Sequence, residues 1–139
     1  MGGKYIGNAS WRGALLKPLL EKARPKPEAI YAVLHGADGY TSGHPVPQLL
    51  GDKNFLAYEM NGEPLNRLHG FPLRVFIPGK YGMKLPKWLT RIEFVNREFL
   101  GYWETQGWSN VCDRQTQSII DDPRDSAHIS GKNFVITGY

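Results

Sequence analysis

Punctuation by glycine and proline is what most constrains this chain: 16 Gly and 10 Pro are spread over its 139 residues. They cut the apolar sequence into short runs, AIYAVL (29–34), FLAYEM (55–60), LRVFI (73–77), RIEFV (91–95) and FVIT (134–137). Runs this short, rich in β-branched and aromatic residues and bounded by turn formers, suit strands rather than helices. FLAYEM runs straight into Asn61-Gly62, a strong tight-turn signal. LRVFI reads as a central strand that leaves through Pro78-Gly79 into a glycine-rich loop reaching Lys87. Only SWRGALLKPLLEKAR (10–24) has helical spacing, with Leu15, Leu16, Leu19, Leu20 and Ala23 on one face. Pro18 is tolerable there only in the first turn, and Pro25 and Pro27 stop the helix.

Between these elements, HGADGYTSGHPVP (35–47) reads as a polar loop and GYWETQGWSN (101–110) as an aromatic one. DRQTQSIIDDPRDSAHISGK (113–132) is polar and poor in periodicity. Five short strands, one helix and long loops predict a mixed α+β domain over 1–139. No apolar run approaches the ~20 residues of a membrane helix. The start, MGGKYIGNASWRG, lacks the basic-then-apolar pattern of a secretory signal, and a periplasmic or cytoplasmic location stays open. Cys112 is the sole cysteine. It excludes an internal disulfide framework or a multi-cysteine zinc site within one chain, and it is expected to be an ordinary thiol.

The 17 Lys and Arg against 13 Asp and Glu leave a charge of +4, a mild bias towards anionic partners. That bias concentrates in HGFPLRVFIPGKYGMKLPKW (69–88), which carries His69, Arg74, Lys80, Lys84 and Lys87 and no acid. A loop that returns on itself aims Arg74 and Lys87 at one point. A guanidinium fork and ammoniums there suit a phosphate, with turn amides at Gly70, Gly79 and Gly82 as further donors. A solvated basic edge explains the same residues equally well. Asp38 and Tyr40 of GADGY, with His44 beyond, are weaker pocket candidates, since Asp38-Gly39 also simply makes a turn. Trp103 and Trp108 read as partly buried covers or as substrate platforms. Aromatics interleaved with basic residues admit a nucleic-acid binder, but no basic run exceeds two residues and no nucleic-acid signature is present, so no nucleic acid is expected. The four histidines lack the spacing of a zinc helix and no serine has a nucleophile's flanking glycines, so neither a metal ligand nor a catalytic residue is nominated.

The ordered set GNASWRG, GADGY, LAYEMNGEPL, HGFPLR, PGKYG, KWL, RIEF and GYWETQGW resembles the molybdopterin-binding domain of the sulfite oxidase family, over nearly the whole chain. The resemblance implies that family's α+β fold, a pyranopterin molybdenum cofactor and oxygen-atom transfer, with a small oxyanion or an S- or N-oxide as substrate and a redox partner. It places His69, Arg74 and Lys87 at the pterin and its phosphate, with Lys84 and Gly82 as weaker cofactor contacts. It also implies a molybdenum-ligand cysteine upstream of GNASWRG, a position Cys112 does not match. Trp108 stands where sulfite-oxidising members have a tyrosine, which points away from sulfite. On this reading the chain is the C-terminal part of the domain, incomplete as a catalyst alone; a non-catalytic, self-associating module is the alternative. Loss of covering segments is expected to expose the apolar faces of AIYAVL and LRVFI and to drive formation of a homo-oligomer.

Overall fold

Pro18 decides where the first helix begins. In the computed structural model, which describes residues 7–131 and 133–138, helix α1 spans Leu16–Ala23. Pro18 therefore falls in its first turn, where the missing N–H has no intrahelical partner to lose. The stretch before it is not helix, as the leucine spacing predicts, but strand β1 (Trp11–Leu15). Gly13 explains the difference: a Cβ there would lie 2.2 Å from the Leu56 carbonyl oxygen, so the backbone lies hard against a neighbouring strand. Residues 1–6, which carry part of the signal-peptide reading, lie outside the described residues.

The described residues divide into two compact units, Ser10–Arg114 and a smaller one that combines 7–9 with 115–131 and 133–138. The larger continues with β2 (Tyr31–Gly36), β3 (Thr41–Pro45), the short helix α2 (Val46–Leu49), β4 (Phe55–Met60), β5 (Glu63–Pro64), β6 (Arg74–Phe76), β7 (Leu89–Val95) and α3 (Tyr102–Thr105). One antiparallel sheet has the order β1-β4-β5 with β6 also on β4, and the other is β3-β2-β7. Asn61 (φ 55°) and Gly62 (φ 84°) supply the two positive φ angles of the tight β4–β5 turn. Leu16 and Leu20 of α1 join Leu34, Leu56, Val75 and Ile77 in one buried core.

Four expectations are corrected here. The polar TSGHP segment is a strand and not a loop, with Ser42 and His44 fully buried. β6 is not central: it pairs with β4 on one side, and Val75 N–H donates to Pro86 O (3.1 Å) on the other. The apolar faces of β2 and β6 are not uncovered, since Ala32, Val33, Leu34, Val75 and Ile77 are all buried. The smaller unit contains β8 (Ile120–Asp122) paired with β9 (Thr137–Gly138). Its second strand starts only at Thr137, and Phe134–Ile136 are exposed and outside it. Among the described residues, no helix is long and apolar enough to cross a membrane.

Candidate functional site

The site is built around a single turn. Asn66 Oδ1 accepts the His69 N–H (2.9 Å) and caps a 3-10 turn over Arg67–His69, which ends at Gly70 with φ 107°. Two neighbouring residues from the far side of the basic loop hold that turn. Lys87 Nζ donates to Leu68 O (2.9 Å) and Trp88 Nε1 donates to Arg67 O (2.7 Å). Trp88 does so from a left-handed backbone (φ 52°), unusual for a bulky side chain and the kind of strain that gathers at functional sites.

Gly70 sets how closely the two cations approach. A Cβ at 70 would lie 3.0 Å from Lys87 Cβ and 3.1 Å from Arg74 Cβ, so the stems of Arg74 and Lys87 flank a position that only glycine leaves open. Arg74 Nη1 donates to His69 O (3.2 Å), and its guanidinium lies 5.1 Å from the Trp11 ring centre and 4.8 Å from that of Phe76. Its Nε is buried with no hydrogen-bond partner among the described residues. Burial lowers the Arg74 pKa, but a guanidinium stays charged, and a buried donor left unpaired is costly unless a ligand satisfies it.

The two cations open into a cavity of about 230 Å³ that is also lined by Asp38, Tyr40, Gly82 and Trp103. Five of the eight sequence candidates, Asp38, Tyr40, Gly82, Arg74 and Lys87, thus share one cavity wall. The volume falls below the ~300–1,000 Å³ of a pocket that encloses a drug-sized ligand, so it fits an anionic head group and not a whole organic molecule. Tyr40 is anchored, its hydroxyl donating to Met83 O (2.6 Å), and burial with Glu104 nearby pushes its pKa up to about 12. It is a neutral hydrogen-bonding group at physiological pH. Asp38 Oδ1 accepts the Tyr40 N–H (3.1 Å), which makes it a turn former as well as a wall.

The remaining candidates lie apart from this cavity. His69 is half-buried and reaches the site through its carbonyl, the acceptor for Arg74. Trp108 is 57 % exposed and sits 5.5 Å, centre to centre, from the cavity-lining Trp103. Lys84 points inward. Its Nζ donates to Glu104 Oε1 (2.5 Å), Asn110 Oδ1 (2.8 Å) and Gly43 O (2.9 Å), so all three of its protons are used. Its own carbonyl accepts from the buried His44 Nε2 (2.9 Å), and burial lowers the His44 pKa to about 4. Cys112 donates from Sγ to Ser109 O (2.7 Å), and burial raises its pKa, the reverse of what a reactive or metal-binding thiolate needs.

Sequence reasoning missed Trp11 and Trp88 as parts of the site. The alternation along β1 that turns Trp11 towards Arg74 was hidden by the helical spacing of the leucines after it. Trp88 carried a signal in its adjacency to Lys87, whose Nζ lies 4.7 Å from the indole centre.

Comparison with known proteins gives this cradle a context. The family model for the oxidoreductase molybdopterin binding domain matches residues 1–103. An uncharacterized oxidoreductase of Bacillus subtilis, YuiH, is 42% identical over 98 residues, covering 70% of this chain and 50% of that protein. Mitochondrial sulfite oxidase of Drosophila melanogaster is 35% identical over 136 residues, covering 91% of this chain and 24% of that protein. Among solved structures, the sulfane dehydrogenase SoxCD of Paracoccus pantotrophus superposes with a TM-score of 0.76 at 26% identity, over 94% of this chain and 37% of that one. The chain spans half the length, or less, of each of these relatives.

Proposed function

The chain belongs to the oxidoreductase molybdopterin binding domain family, and from that premise we propose that the Arg74–Lys87 cradle receives the terminal phosphate of a molybdopterin. The carrying observation is the buried, unpartnered Arg74 Nε beside Gly70, where an oxyanion would supply the missing acceptor. Arg74 binds through its guanidinium fork, Lys87 adds a point charge, and exposed Gly82 offers backbone at the rim of the same cavity. His69 acts through its carbonyl, which orients Arg74. Lys84, with its ammonium consumed internally, positions the cavity wall and does not touch the phosphate.

When bound, the molybdenum centre supplies oxygen-atom transfer, while the protein binds, orients and shields. The buried, protonated Cys112 is not the metal's thiolate ligand. Trp108, packed beside the cavity-lining Trp103 and lacking a hydroxyl, favours an S- or N-oxide over sulfite as substrate. Protein made in a molybdenum-replete host should contain pterin and molybdenum, and Arg74→Met should retain at least tenfold less pterin. Wild-type protein that contains neither would overturn the assignment.

A further inference from the structure

A second, larger cleft of about 580 Å³ lies between the end of α1 with its connection to β2 and the end of β7. It shares no lining residue with the Arg74–Lys87 cavity. Three cations, Arg24, Lys26 and Arg97, line it against one acid, Glu28, for a local balance of 3 − 1 = +2. Phe94 and Val95 add apolar surface. Its volume lies within the ~300–1,000 Å³ range of small-molecule pockets. Backbone bonds hold its walls in place, Ala29 N–H to Lys26 O (3.0 Å) and Ile30 N–H to Val95 O (3.0 Å).

Two features separate this cleft from an ordinary basic surface. Among the described residues, no hydrogen bond or ion pair engages the side chains of Arg24, Lys26 or Arg97, so three exposed cations border one space with no direct partner. Arg24 also occupies a left-handed backbone conformation (φ 49°, ψ 63°) at the end of α1, a position that glycine fills without steric penalty. Keeping an arginine there sacrifices stability, and the side chain it presents is what lines the cleft.

We propose that this cleft binds a small organic anion, with its oxyanion head on Arg24, Lys26 and Arg97 and an aromatic or aliphatic body against Phe94 and Val95. Several convergent cations give a head group charge-assisted hydrogen bonds, and the apolar wall distinguishes a substituted phosphate from the bare ion. The site is independent of the pterin-phosphate reading.

The test is calorimetric titration of phenyl phosphate, performed in an Arg74→Met background so that the first cavity cannot answer for the second. Saturable binding with a stoichiometry of one is expected, at least tenfold tighter than that of inorganic phosphate. Arg97→Ala should weaken it tenfold or more. Arg24→Gly should weaken it as much while the melting temperature holds or rises, a pairing of effects that a purely structural arginine would not produce. Absence of saturable binding, equal affinity for inorganic phosphate, or affinity that survives both substitutions would each overturn the proposal. Loss of pterin retention in Arg74→Met with phenyl phosphate binding intact keeps the outcomes of the two sites separate.

Discussion

Lys84 and Lys87 are three residues apart in one basic loop, and the structure treats them in opposite ways. Lys84 and its partner Glu104 each have side chains only 1% exposed, and the lysine's three protons meet three acceptors. Lys87 has one carbonyl and an indole face, and it opens onto a cavity beside an arginine whose Nε has no partner. A satisfied cation holds a fold together, whereas an under-satisfied one keeps donors unused. Charge in the sequence does not distinguish the two; hydrogen-bond accounting does.

The sharpest way to break this comparison is to neutralise the interior lysine. Lys84→Met leaves Glu104 buried without its counter-ion, a change that typically costs about 3–5 kcal/mol. Urea unfolding should register that loss, and Lys84→Met combined with Glu104→Gln should recover most of it, because the burden is the orphaned charge and not the missing side chain. A single variant as stable as wild type would show that Lys84 is not the structural member of the pair.

The same interior should respond to acid through His44. Its folded pKa of about 4 lies below the ordinary imidazole value of 6.5, chiefly because the ring is buried. Between those values the unfolded chain binds a proton that the native ring refuses, so stability rises with pH across the window and is lost as pH falls from 6.5 towards 4. The full loss amounts to about 3 kcal/mol at ~1.36 kcal/mol per pKa unit. Unfolding free energies of wild type and His44→Asn, followed from pH 7.5 to 4, should converge as the pH drops. Parallel curves would remove His44 from the account.

These two regions also explain what could be read from the sequence. β4 was legible because FLAYEM follows strand composition and ends at Asn61-Gly62, both local signals. β3 was not, because its buried residues are Ser42, Gly43 and His44, whose burial depends on Lys84 and Gln48, partners distant or out of phase in sequence. The α1 boundary failed for a similar reason: the leucine period continues back into a strand whose identity is fixed by pairing with β4, 40 or so residues away. Arg74 and Lys87 were nominated from motif order and from the loop between them, and the fold brings both to one cavity. Lys84 was not separable from them, since nothing local announces that Glu104 and Asn110 will close over it.

Gly70→Ala tests the cradle's shape rather than its charge. Gly70 sits at φ 107°, and the added carbon would lie 3.0 Å from Lys87 Cβ and 3.1 Å from Arg74 Cβ. The backbone strain alone should cost about 1–3 kcal/mol. Pterin content should fall with it, because the methyl group forces the two cations apart. Unchanged stability and unchanged pterin content would mean that the close approach is incidental.

Arg74→Met should have the smallest effect on stability and a decisive one on binding. What the arginine contributes is one bond to His69 O and faces shared with Trp11 and Phe76, the latter worth about 0.5–2 kcal/mol. Against that stands the burial of a charged group with an unpaired Nε, a penalty of about 1–3 kcal/mol that methionine removes while preserving much of the aliphatic volume. The opposing effects nearly cancel, so the urea midpoint should stay close to wild type while pterin retention collapses. If Arg74→Met instead unfolds as readily as Lys84→Met, then Arg74 belongs with the interior cations and the division drawn from Lys84 and Lys87 fails at the residue on which the cradle depends.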